Sequence, residues 1–193
     1  MDQFSIYLQL GFEHISDFEG YDHMLFIVTL CAFYAWSDWK KILILVTAFT
    51  IGHSITLALS AFNVLSIPQQ LVETAIPITI FLTAIHNVWS GQRGRDRAVD
   101  SNYFIALFFG FIHGMGFSNF FRALTGGKSI VLELFAFNVG LELGQLLIVV
   151  AFFAIYFVLD KLLKIEHRDW NLFISGAGAG LSLLMSLEAV FAS

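Results

Sequence analysis

Several windows of roughly 20 predominantly apolar residues recur along this chain, each long enough to cross a hydrocarbon core of ~30 Å as a helix. In hydrocarbon every backbone N–H and C=O must find its partner within the protein, so only helices and closed barrels can cross. The alternating ten-residue pattern of a barrel is absent, which leaves helices. Of the 193 residues 58% are hydrophobic and 13% charged, with a mean hydropathy of +0.77, too little polar surface for a water-soluble globule. The expected class is all-α: one transmembrane domain over residues 1–193, polytopic, with a short N-terminal interfacial helix.

The first expected span covers about 22–37 and ends in Trp36, Trp39, Lys40 and Lys41, an aromatic and cationic interface anchor. The others cover about 42–62, 71–89, 102–121, 129–159 and 170–191. Before them, Phe4, Tyr7, Leu8, Leu10, Phe12 and Ile15 recur at helical spacing in a segment too short and too polar to cross, which places it in the interface or against the bundle. Loops one, three and five hold Lys40, Lys41, Arg93, Arg95, Arg97, Lys161, Lys164 and Arg168, whereas loops two and four hold only Arg122 and Lys128. By the positive-inside rule the odd loops are cytoplasmic and both termini face outside.

Nucleic acid is excluded as a partner, because no basic stripe exists. Cys31 is the one cysteine and falls inside the first apolar run, so the chain builds neither a disulfide framework nor a thiolate metal cluster, and Cys31 is core. The N-terminus lacks a basic region ahead of its apolar stretch and reads as retained, not as a cleaved signal. Gly110 and Gly114, like Gly176 and Gly180, follow the small-xxx-small pattern of packed membrane helices, within one chain or between two copies in a homo-oligomer.

The stretch from Gly11 to Phe26 carries His14, Asp22 and His23, with Glu13, Asp17 and Glu19 close by, directly before an apolar run. Two imidazoles and a carboxylate at the mouth of a membrane helix suit a late first-row divalent metal. An ionisable side chain inside a span costs ~2.5 to 3.5 kcal/mol on insertion scales, so each one needs a partner or a purpose. His53 lies twelve residues beyond Lys41 and His113 eleven beyond Asn102, which at ~1.5 Å per residue puts both imidazoles roughly 16 to 18 Å above one edge, near the midplane. In the fifth span Asn138, Glu142 and Gln145 fall at i, i+4 and i+7, on one helix face. Thr50, Ser54, Thr56, Ser118 and Asn119 read as interhelical glue or as supports for those imidazoles. Glu73 and His86, closer to the interfaces, read as structural, and the 22 Phe as lipid-facing bulk.

Glu13-His14, Gly20-Tyr21-Asp22-His23, Thr47-Ala48-Phe49-Thr50-Ile51-Gly52-His53-Ser54, Phe109-Gly110-Phe111-Ile112-His113-Gly114-Met115-Gly116-Phe117 and Phe137-Asn138-Val139-Gly140-Leu141-Glu142-Leu143-Gly144-Gln145, in this order, resemble the HupE/UreJ family. The resemblance implies a small permease linked to nickel, and by extension cobalt, supply. On the matched positions it makes His14, Asp22, His23, His53, His113 and Glu142 the metal-handling candidates, with Asn138 and Gln145 in support. The Asp22-His23 pair is also similar to the signature of nickel/cobalt transporters, with residues 15–21 lying between it and His14.

The function expected is thus a non-enzymatic permease that receives a divalent transition metal ion at an external His/Asp site and hands it to midplane histidines. An intramembrane zinc-dependent hydrolase, with Glu142 as base beside three zinc ligands, would use the same residue types. A structural protein whose histidines only bond neighbouring helices is the third reading.

Overall fold

A computed structural model describes residues 2–18, 20–62, 64–65, 67–91, 96–125 and 131–191, with side chains described outside 91, 96–101, 118–120 and 122–125. Glu19, Arg93, Arg95 and Lys128 lie outside the described residues, as do the side chains of Arg97, Ser118, Asn119 and Arg122. Among the described residues seven α-helices follow one another: α1 (Gln3–Ser16), α2 (Asp22–Ala32), α3 (Trp39–Ala61), α4 (Gln69–Gly91), α5 (Asp96–Thr125), α6 (Val131–Leu163) and α7 (His167–Phe191). A 3-10 turn, Trp36–Asp38, precedes α3, and no strand occurs among the described residues. Among the described residues four stretches are long and apolar enough to cross a membrane: Trp36–Ala61, Gln69–Ser90, Val131–Leu163 and His167–Phe191. Asp22–Ala32 and Asn102–Phe117 are apolar but shorter.

The expected first span is therefore corrected. α2 has 11 residues, a length of ~16 Å, and stops where tertiary partners take over the backbone. The Tyr34 carbonyl accepts from His167 Nε2 at 2.9 Å, the Tyr34 hydroxyl accepts from Asn102 Nδ2 at 2.7 Å, and Asp38 Oδ2 accepts from the Ala35 N–H at 3.2 Å. Backbone groups held from outside the helix no longer need its i→i−4 ladder.

Glycines set how closely the other helices approach. α3 and α5 run parallel, and a Cβ at Gly52 would meet the Leu107 carbonyl, at Gly110 the Phe49 carbonyl, and at Gly114 the backbone of His53. α1 and α6 form a second parallel pair, in which Gly11 faces the Phe137 carbonyl, Gly140 the Leu8 carbonyl and Gly144 the Ile15 side chain. Of the two placements open to the N-terminal segment, the structure thus takes the one against the bundle: Tyr7, Gly11 and Ile15 are buried, and Gln3 Nε2 donates to Glu133 Oε1 at 2.6 Å. α4 and α7 pair antiparallel, with Asn171 Nδ2 donating to the Asn87 carbonyl at 3.3 Å, and Asn87 Nδ2 ties α4 to α2 by donating to the Thr29 carbonyl at 2.6 Å.

Gly176 and Gly180 have nothing within 4 Å of a Cβ, so they make no close helix approach within the chain; Gly178, on the other face, meets Thr29. Helix spacing alone could not say which face of α7 turns inward.

Candidate metal centre

The ends of α1 and α2 place two imidazoles together. α1 begins at Asp2, whose Oδ1 accepts the Ser5 N–H at 2.8 Å, and runs along α6 until His14 lies in its last turn. α2 opens with Asp22 and His23. Asp22 Oδ1 accepts both from the His23 N–H at 2.8 Å and from His23 Nδ1–H at 3.0 Å, which fixes the ring and leaves its Nε2 bare. This is the carboxylate–histidine arrangement that orients imidazole ligands at metal sites.

The α3–α5 pair supplies the other two. His53 and His113 are 0% and 1% exposed, and both touch His23, with ring centroids 6.3 and 4.7 Å away. His14 lies 4.7 Å from His23 and 5.9 Å from His53 on the same measure. One ligand nitrogen from each of His14, His23 and His53 lies within 4.8 Å of the other two. His113 Nδ1–H donates to the Phe109 carbonyl at 3.1 Å, again leaving Nε2 free. The Nε2 atoms of all four histidines are buried without a hydrogen-bond partner. Four bare imidazole nitrogens in one place are costly unless something fills them.

Aromatic rings and an acidic cleft border the histidines. Phe117 packs on His14 at 4.0 Å, Phe137 lies 5.6 Å from His14 and 6.1 Å from His53, and Phe49 lies 5.4 Å from His113. Several phenylalanines expected as lipid-facing bulk instead wall the histidines. A cleft of about 280 Å³, with Phe117 in its wall, reaches His14, His23 and His113 and is lined also by Asp17, Asp22, Gln69 and Glu73. Adjoining clefts add Glu13 beside His14 and Glu188 beside Asp22 and Glu73. Acidic groups, and no Lys or Arg among the described residues, line these three clefts, a field that gathers cations.

A family model described as HupE / UreJ protein matches residues 1–190. The chain belongs to the HupE/UreJ family. Membership implies a role in nickel or cobalt transport, and the apolar helices make this a membrane protein. No curated protein and no solved structure matches it.

Of the residues that the family resemblance singles out, the structure brings His14, His23, His53 and His113 into one cluster, with Asp22 behind His23. Glu142 stands on α6 accepting from Thr47 Oγ1 at 2.7 Å, and Gln145 Oε1 accepts from Thr50 Oγ1 at 2.9 Å. Asn138 Nδ2 donates to the Leu134 carbonyl of its own helix at 2.7 Å. Neither Glu142, Asn138 nor Gln145 is among the grouped nitrogens of this HupE/UreJ protein. Thr56 and Ser54 donate within α3, to the Gly52 and Thr50 carbonyls.

Glu73 is the residue that sequence reading left aside. It accepts from Gln69 Nε2 at 3.2 Å and lines two of the clefts. A signal was present: Pro77, four residues later, has no N–H for the Glu73 carbonyl, so α4 loses a helical bond where it borders the cleft.

Proposed function

We propose that the protein is a permease for a divalent transition metal ion, nickel or cobalt, which enters through the acidic cleft and binds at His14, His23 and His53, with His113 beside them. The observation that carries this is the set of three imidazole nitrogens, mutually within 4.8 Å, two of them on histidines that line a cleft with Asp17, Asp22 and Glu73. Imidazole and carboxylate hold such ions without the grip of thiolates, as a carrier that must release its cargo requires.

α1 and α2 both run parallel to α6, and at ~21 and ~16 Å they serve as two halves of one interrupted crossing. With α3 to α7 this gives six crossings, the histidines near the midplane, the Lys40–Lys41 end cytoplasmic and both termini outside. Nothing favours the hydrolase reading, since Glu142, the base it would need, is engaged by Thr47.

The deciding experiment is metal flux into liposomes holding the purified protein and a trapped metal-sensitive dye, with nickel, cobalt, zinc, manganese and iron(II) offered separately. Saturable entrance of nickel or cobalt is expected. Tight binding without flux would overturn the permease and indicate a fixed metal centre. Asp22→Asn removes the acceptor that orients His23 and is expected to weaken nickel binding about 10- to 100-fold, read by equilibrium titration. Unchanged affinity would show that Asp22 does not act through His23.

A further inference from the structure

Glu142 and Gln145 occupy a seam between two tightly packed bodies. α3 with α5, and α1 with α6, each meet backbone to backbone through glycines that leave no room for a methyl group, so each pair moves as one piece. Between the two pieces, α3 bonds to α6 through Thr47 to Glu142 at 2.7 Å and Thr50 to Gln145 at 2.9 Å. The histidine cluster straddles the same division, with His14 on one piece and His53 and His113 on the other.

Two features of this seam ask for a purpose. Glu142 is a half-buried polar side chain in an apolar helix, and the oxygen it offers Thr47 is what joins α6 to α3 there. Gln145, 1% exposed, lines a void of about 10 Å³ with Phe26, Phe49, Cys31 and Tyr34, and its Nε2 has no partner. Between void and histidines, Phe26 stacks on Phe109 at 4.4 Å and on Phe49 at 5.3 Å, and these rings lie 5.8, 6.2 and 5.4 Å from His113. The site is therefore open to the acidic cleft and closed, on the side of Cys31, by an aromatic layer.

We infer that Glu142 and Gln145 are positioning residues that latch the two bodies in this cleft-open state, an inference that rests on the transport reading above. While both bonds hold, the Phe26–Phe49–Phe109 layer stays shut. When they part, the α1–α6 piece moves off the α3–α5 piece, His14 separates from His53, and the ion's way opens toward Cys31. A hydrogen bond between membrane helices biases such an equilibrium by about threefold, so losing both shifts it by about tenfold.

Cys31, the only cysteine and 2% exposed, is a native reporter of that opening. Maleimide labelling of the purified full-length protein is expected to run about threefold faster in Thr47→Val and in Thr50→Val, and about tenfold faster in the double variant. Apparent nickel affinity falls in parallel, with unchanged stoichiometry. Glu142→Gln keeps an oxygen acceptor and labels at the wild-type rate. Thr56→Val removes a hydroxyl bonded within α3 and facing Gly114 of α5, so it leaves labelling unchanged.

Unchanged labelling in the double variant overturns the latch, as does equal acceleration in Thr56→Val, which would mean general loosening. Loss of bound nickel in Glu142→Gln also overturns it, by making the carboxylate a ligand. If the wild type binds no nickel while labelling follows the expected order, the transport reading fails and the latch between the bodies stands.

Discussion

In the liposome flux assay the His23→Ala protein is expected to pass nickel at the background rate, a loss of at least about 100-fold, because removing a ligand costs more than removing the group that orients it. His23 lies against each of the other three histidines: its ring lies 4.7 Å from both His14 and His113 and 6.3 Å from His53. It joins α2 to the histidines of α1, α3 and α5. Its truncation leaves Asp22 without the imidazole that its Oδ1 now holds at 3.0 Å. The effect is on binding as well as rate, so equilibrium titration with nickel should show the stoichiometric site gone. Wild-type flux in the variant would remove His23 from the path and, with it, the site proposed here.

Gly110→Ala is expected to have a large effect on stability. The added methyl would fall on the Phe49 carbonyl and close to the His53 N–H, backbone atoms of a neighbouring helix that cannot rotate away. Overpacking of a well-filled interior costs about 1–3 kcal/mol where side chains can give, and the upper end or more applies here. Thermal unfolding in detergent should show a lowered midpoint and a smaller yield of folded protein. Gly176→Ala is the control, since its Cβ would meet nothing within 4 Å. Its exchange of glycine for alanine in a helix should be neutral or stabilising by up to about 1 kcal/mol. A folded, wild-type-like Gly110→Ala protein would show that α3 and α5 are not locked together, and would undercut the two-body division as well.

Much of the site was legible because the membrane makes polar residues conspicuous. His53 and His113 drew attention by lying in apolar runs at equal distances from the ends of their spans, and the structure sets them on a parallel helix pair, both against His23. Asp22 and His23 are adjacent in sequence, and their contact follows from one helix N-terminus. Glu142 stood out for the same reason, yet conspicuousness only says that a group needs a partner. The partner it has is Thr47, not the histidines, and the spacing of Asn138, Glu142 and Gln145 on one face could not reveal what that face meets.

The glycines divide in the same way. Gly110 and Gly114 were readable as packing residues from their spacing, while Gly176 and Gly180 share that spacing and make no close approach within the chain. Gly11, Gly52, Gly140 and Gly144 make equally close approaches without having drawn notice, because closeness is a property of two helices and spacing a property of one.

By itself the sequence determined that this is an all-helical membrane protein, which residues are the candidates for holding metal, and which family it resembles. Hydropathy, residue chemistry and motif order are local properties, and local properties survive being read in one dimension. The tertiary structure alone decided that α2 ends at Ala32, that α1 joins the bundle beside α6, that four imidazoles from four helices converge beside an acidic cleft, and that Glu142 accepts from Thr47 of α3. Each of these depends on which neighbour captures a backbone carbonyl, a hydroxyl or the space over a glycine. Those competitions are settled between helices far apart in the chain, by geometry that no single helix contains.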